Sequence, residues 1–245
     1  MAVGYATSRP PVHAHVIEHA ARTMNLGRVA GRTLDVGCGS GISTAALRPH
    51  AAACIGIDPA ESMLRWGRIT APCAAFAVGT AEAIPLRNGS VECITAAGSL
   101  NYADLDLFFP EARRVLAPDG VLLVYDFGPG MAFRGERGLE DWFQQFSARY
   151  PPPYNEGRYL DPDVLKQFDS GFRVIGEETF EIGIRLTAGF YLDYMLTETN
   201  VASAIRAGVP QSEIRDWCAE TLAAVWRGED KEVLFRGYWV CLIPL

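Results

Sequence analysis

The chain has 245 residues, 49% of them hydrophobic and 21% charged, enough to bury a full α/β core without a disulfide or a metal. A formal net charge of -7 removes the attraction that supplies most non-specific affinity for phosphate backbones, so no nucleic-acid partner is expected. The chain opens without a basic-then-apolar leader, and no run reaches the roughly 18 apolar residues of a membrane span. The sequence therefore reads as a cytoplasmic protein with no membrane partner, a monomer or homodimer, and it scatters Cys38, Cys54, Cys73, Cys93, Cys218 and Cys241 as reduced thiols rather than as CxxC pairs.

In chain order, Val12, Val16, Ile17, Ala20 and Met24 share one sector of a helical wheel after Pro10-Pro11, opposite His15, Glu18 and Arg22, which predicts an amphipathic first helix. His13 lies in the apolar sector and so points towards the core or a site cavity. From residue 33, short apolar runs (33–36, 53–57, 75–78, 91–96, 121–126) alternate with helical stretches (40–47, 60–67, 107–116), the pattern of parallel strands with crossover helices. Pro118-Asp119-Gly120 reads as the turn into the fifth strand. Further on, Asp161-Pro162 supplies an N-cap and a first helical residue, residues 172–184 a sixth strand, residues 186–226 a largely helical stretch, and residues 233–243 a final strand.

The densest signal is Leu34-Asp35-Val36-Gly37-Cys38-Gly39-Ser40-Gly41. A glycine turn after a strand and before a helix lets the backbone approach a nucleotide-like ligand, because no Cβ blocks the way. The spacing is Gly-x-Gly-x-Gly, with Asp35 two residues ahead of the first glycine. An acid there would repel a pyrophosphate, yet it suits a cationic ligand bearing an amino group and a sulfonium. Asp58 closes the second strand, Ile55-Gly56-Ile57-Asp58, which places its carboxylate for ribose hydroxyls; an N-cap for the helix opening at Pro59 is its competing role. Val78 to Leu86 offers polar backbone and small side chains for an adenine edge, with Ile57 and Met63 as apolar neighbours.

These motifs resemble those of class I S-adenosylmethionine-dependent methyltransferases: LDVGCGSG is similar to their first motif, IGIDPAESML to their second, and GTAEAIPL with RVLAPDGVLLVYDF to their later ones. The resemblance covers about residues 30–127. It implies an α/β, Rossmann-like, seven-stranded and mostly parallel sheet with helices on both faces, the last strand antiparallel, and a helical lid. The whole of 1–245 then forms one methyltransferase domain, with lid elements at about 1–26, 130–160 and 186–228. It implies S-adenosyl-L-methionine as cofactor, with Asp35 and Gly37 at its methionine end, Asp58 at the ribose, and Thr80, Ala81 and Glu82 on the adenine side. Tyr5, Cys38, Gly39, Gly41, Pro59, Met63 and Ala97 complete the expected contacts.

A narrower likeness, through 5–11 and 96–104, is to small-molecule methyltransferases related to trans-aconitate methyltransferase. Those often carry a His-Trp pair where this chain has Asn101-Tyr102, so a base at that histidine does not transfer.

The implied reaction is methyl transfer by in-line displacement to an oxygen or nitrogen of a small organic acceptor, a chemistry that rests largely on orientation in a dry site. Asn101, Tyr102, Trp142, Tyr191 and Tyr194 are the candidate acceptor contacts, the aromatics forming a lid or merely packing helices on the sheet. His13 and Tyr5 are the candidate catalytic residues, His13 as the base, and by the same resemblance Tyr5 closes over the cofactor. His15 and His19 stand at i, i+4, but no third ligand accompanies them, and no metal is expected. The alternatives are a nicotinamide-dependent oxidoreductase and a non-catalytic homologue that binds the same cofactor.

Overall fold

The computed structural model describes residues 8–24, 29–153 and 157–245. In chain order the elements are α1 (Val12–Thr23), β1 (Val29–Val36), α2 (Ile42–Leu47), β2 (Ala51–Asp58), α3 (Glu61–Thr70), β3 (Ala75–Val78), β4 (Val91–Ala97), a 3-10 turn (Leu100–Tyr102), α4 (Leu105–Val115) and β5 (Leu116–Phe127). They continue with β6 (Ala132–Phe133), α5 (Leu139–Arg149), α6 (Pro162–Gln167), β7 (Phe172–Leu186), α7 (Ala188–Met195), α8 (Thr199–Arg206), α9 (Gln211–Trp226) and β8 (Lys231–Pro244). They divide into two compact units. The larger comprises Pro11–Phe127, Gly157–Phe180 and Gly237–Leu245, and the smaller Met1–Pro10, Gly128–Glu156 and Glu181–Arg236.

In the larger unit the strands lie in the order β3-β2-β1-β4-β5-β8. The first five are parallel, and the end of β8 runs antiparallel to β5, with Asp126 opposite Tyr238. This is the α/β, Rossmann-like arrangement with an antiparallel last strand. Strands covered on both faces must be apolar on both, which is why Ile94 to Ala97 of β4 and Val121 to Tyr125 of β5 read as continuous apolar or small-residue runs rather than alternating ones. Leu34, Val36, Ile57, Ile94, Val124 and Val240 meet Phe108, Phe109 and Leu165 in one core. α6 starts as its sequence dictates: Asp161 Oδ1 accepts from the Val164 N–H at 2.8 Å, with Pro162 in the first turn.

One local expectation needs correction. Pro118-Asp119-Gly120 is not a turn ahead of the strand but lies inside β5, where the pairing with β4 jumps from Val91↔Leu116 to Cys93↔Val121; the extra residues on one strand form a bulge, which tolerates proline. Cys73 is exposed, whereas the other five cysteines are buried, and all six are free thiols.

In the smaller unit, the two-residue β6 pairs with the beginning of β8 (Ala132↔Leu234, Phe133↔Val233), a strand too short to leave a pattern in the sequence. Its core is aromatic. Trp142 stacks on Phe146 and Trp217, Tyr191 leans on Trp226, and Trp226 meets Phe133 edge-on. No helix among the described residues is long and apolar enough to cross a membrane.

Phe109 is buried, with ring centroids 5.3 Å from Phe108, 5.4 Å from Phe168 and 5.5 Å from Phe172. Truncating it leaves a cavity that three neighbouring rings cannot refill, so Phe109→Ala is expected to cost about 3–5 kcal/mol in urea unfolding.

Candidate functional site

The carboxyl ends of parallel strands are where an open α/β sheet receives ligands, and the glycine turn follows β1 at that edge. Gly37, Gly39 and Gly41 adopt φ of 68°, 52° and 79°, a region that side chains rarely enter. Their surroundings differ. A Cβ on Gly37 would meet the Ser99 Cβ at 2.3 Å, and one on Gly41 the Gly67 Cα at 2.8 Å, so both serve close packing. A Cβ on Gly39 would find only the Met63 methyl, at 3.6 Å. Gly39 therefore lines open space, and the half-buried Met63 stands beside it. The turn is fixed from below, as the Gly37 and Cys38 N–H groups both donate to the Ile57 carbonyl, at 2.9 and 3.0 Å. Cys38 is buried against Gly56, and burial drives its thiol well above its ordinary pKa, making it packing rather than a nucleophile.

Asp35 is fully buried. Its Oδ2 accepts from Ser43 Oγ at 2.7 Å and Thr44 Oγ1 at 2.6 Å, and its Oδ1 from Thr95 Oγ1 at 3.0 Å. The sheet register explains the last bond, since Asp35 and Thr95 are partners across β1 and β4. Burial raises the Asp35 pKa, opposed by the three hydroxyl bonds.

Asp58 joins β2 to the turn. Its Oδ2 accepts from the Gly39 N–H at 2.9 Å and its Oδ1 from the Ala60 N–H at 2.8 Å. The helix opens at Glu61 with Ala60 at the N-cap position and no side-chain cap bond, so Asp58 is not its N-cap as weighed from the sequence; a carboxylate offers about four acceptor positions, and the two backbone bonds leave capacity for ligand hydroxyls.

Beyond β3, Thr80 and Ala83 form an isolated bridge. Glu82 Oε1 accepts from the Asp104 N–H at 2.9 Å. Burial disfavours its charged form, but bonds from the Asp104 and Glu82 backbone and from Thr80 prevail and hold its pKa below the usual range. Ile57 is wholly in the core, while Pro59 is exposed and Ala81 and Ala97 are half-buried.

At the ends of β4 and β5, Ser99 Oγ donates to the Val36 carbonyl at 2.6 Å. Asn101 Nδ2 donates to Asp126 Oδ2 at 2.8 Å, and Tyr102 is 70% exposed. Asp126 was given no role by the sequence, although it stands next to last in RVLAPDGVLLVYDF; Ser43, Thr44, Thr95 and Ser99 were missed likewise. His13 Nδ1 shares a hydrogen bond of 2.9 Å with Tyr125 Oη, and its ring meets Phe127 edge-on at 5.0 Å. His15 is exposed and His19 pairs with Glu178 at 2.8 Å; among the described residues no three His, Cys, Asp or Glu side chains gather as a metal site.

The remaining acceptor candidates lie in the smaller unit. Trp142 Nε1 donates to Thr221 Oγ1 at 2.8 Å and the Tyr191 hydroxyl to the Gly130 carbonyl at 2.6 Å, and both side chains are buried, as is Tyr194. All three belong to that unit's aromatic core. Tyr5 lies outside the described residues.

Residues 34–124 match the family model of a methyltransferase domain. Over 202 residues the chain is 23% identical to a Dictyostelium discoideum protein provisionally named a methyltransferase, covering 80% of this chain and 74% of that one. It is 36% identical over 97 residues to an uncharacterized methyltransferase of Mycobacterium tuberculosis, and the match spans only 40% of each chain. Among solved structures it is similar to a provisionally assigned type II methyltransferase from Anaeromyxobacter dehalogenans, with a TM-score of 0.68, 24% identity, and coverage of 93% and 97%.

The buried Asp35 carboxylate carries a pH signature. Its folded-state pKa is raised, so the native state keeps a proton that the unfolded chain releases near pH 4, and that contribution to stability is lost as pH rises through the folded value. Asp35→Asn, neutral throughout, is expected to gain stability relative to wild type as pH rises from about 4 in parallel urea titrations. A relative loss over that range would mean a depressed pKa instead.

Proposed function

We propose that this chain is a class I S-adenosylmethionine-dependent methyltransferase, a reading supported by the match of residues 34–124 to a methyltransferase domain, and that it passes the methyl group to an oxygen or nitrogen of a small organic acceptor by in-line displacement. The observation that carries the cofactor assignment is the bond between Asp58 Oδ2 and the Gly39 N–H. It holds the acid at the end of β2 against the one glycine of the turn whose missing Cβ leaves open space. That arrangement supports a reading in which a ribose hydroxyl pair lies beside Asp58 and a methionine tail over the Gly37–Gly39 backbone.

In this reading Asp58 accepts from the ribose, Met63 flanks the adenine, and Thr80, Ala81 and Glu82 border its edge. Asp35, expected at the methionine end, instead acts through position: fully buried and bonded by Ser43, Thr44 and Thr95, it fixes the turn and the start of α2. Pro59 follows Asp58 and Ala97 ends β4, and both are read as further cofactor contacts. The cofactor, when bound, supplies a sulfonium-activated methyl group. What the protein adds is alignment of the acceptor atom and exclusion of water. Residues at the ends of β4 and β5, Asn101 and Tyr102 among them, face the acceptor side.

The test is a screen of pooled small carboxylic acids, phenols and amines with tritiated S-adenosylmethionine, scoring label on each class. Enzyme-dependent label on one class is the expected result, with loss of at least about tenfold in kcat/KM for Asp58→Ala. Full turnover by that variant would remove Asp58 from the cofactor site.

A further inference from the structure

Asp126 closes β5, and its carboxylate is half-buried. Two groups bond it: Asn101 Nδ2 to Oδ2 at 2.8 Å and the Phe127 N–H to Oδ1 at 2.8 Å. Both are neutral, and no cation among the described residues pairs with it. Burial raises its pKa despite those bonds, so the ionised form is held at a cost that a positive charge would remove. Its neighbours keep the carboxylate at the strand edge. A Cβ on Gly98 would lie 2.8 Å from Asp126 Oδ1, so only glycine fits there, at φ 64°. Ser99, the next residue, packs on Gly37 of the glycine turn and donates to the Val36 carbonyl. The carboxylate thus stands one residue layer from the turn assigned to the methyl donor.

A second polar group faces the same place. Tyr238 is the cross-strand partner of Asp126, so the two side chains share one face of the sheet. Tyr238 is 8% exposed, and its hydroxyl makes no hydrogen bond among the described residues. Burial, followed by the carboxylates of Asp126 and Asp161, pushes its pKa up, so the phenol stays neutral and does not compete with Asp126 for a cation. Asn101, Asp126 and Tyr238 together form a half-buried cradle with one net negative charge and one unused hydroxyl.

Resting on the methyl-donor reading above, we propose that Asp126, oriented by Asn101 and flanked by Tyr238, is a catalytic residue on the acceptor side and that the acceptor atom is an amine nitrogen. The amine reacts as the free base. While the C–S bond of the donor breaks with its electron pair to sulfur and the nitrogen lone pair forms the N–C bond, Asp126 faces the positive charge that moves from sulfur to nitrogen. The donor is already cationic, so a fixed carboxylate placed at the acceptor nitrogen favours the state in which the positive charge has moved from sulfur towards nitrogen. The same negative charge repels a carboxylate acceptor, and this separates amines from acids of similar size.

Sinefungin, which carries an amine in place of the sulfonium methyl, and S-adenosylhomocysteine, which carries neither, probe this charge without knowledge of the acceptor. In calorimetry, wild type is expected to bind sinefungin about tenfold more tightly than S-adenosylhomocysteine, and Asp126→Asn to abolish the preference while changing S-adenosylhomocysteine affinity less than about threefold. Equal affinity of wild type for the two ligands overturns the assignment, however the variant folds, and so does a preference that survives in Asp126→Asn. Label confined to carboxylic acids or phenols in the acceptor screen overturns the amine assignment. Binding of neither ligand by wild type sinks the donor site itself, and with it the inference.

Discussion

Everything at the ligand edge of the larger unit hangs on one buried carboxylate. Asp35 is removed from water, and three hydroxyls from two elements, Ser43 and Thr44 on α2 and Thr95 on β4, converge on it. An unpaired carboxylate in such a place would be costly. The hydroxyls offset that cost only if α2 starts where it does and β4 keeps its register. The acid therefore locks the strand before the glycine turn, the helix after it and the neighbouring strand into one geometry. The Ile57 carbonyl, which accepts from Gly37 and Cys38, then fixes the turn to β2, and Asp58 completes the frame by holding Gly39.

Most of this was legible in the residues because it is local. The strands leave apolar runs, the helices a 3.6-residue period, and the turn its glycines, so the order of elements through residue 127 followed from pattern alone. The Asp35 acid was legible as a marker, but its partners were not, since Thr95 is brought to it by sheet register and nothing in sequence spacing announces a partner 60 residues away. Asp126 was hidden for the same reason: its significance comes from Gly98, Asn101 and Tyr238, which meet only across β4, the 3-10 turn and β8. The Pro118-Asp119-Gly120 expectation failed because turn residues also suit a bulge. Trp142, Tyr191 and Tyr194 illustrate the ambiguity of aromatic clusters: in sequence they suit a lid, and in the fold they fill the core of the smaller unit.

Donor and acceptor sites thus draw on different kinds of information. The proposed donor side is built from contiguous residues, Leu34 to Gly41 and Ile55 to Asp58, and backbone conformation is what short motifs encode. The acceptor side is assembled from single side chains on several elements, which leaves the motif silent about what is methylated. A chain can keep the first and change the second by substituting one residue at a strand end. Asn101, whose side chain donates to Asp126, is one of those single side chains.

The central claim is that the glycine turn and Asp58 hold a sulfonium nucleoside rather than a nicotinamide dinucleotide. Isothermal titration of the purified protein with S-adenosylhomocysteine, NAD and NADP tests it most directly. Micromolar or tighter binding of S-adenosylhomocysteine, with no heat from either dinucleotide, is the result predicted; binding of NAD or NADP alone would contradict it.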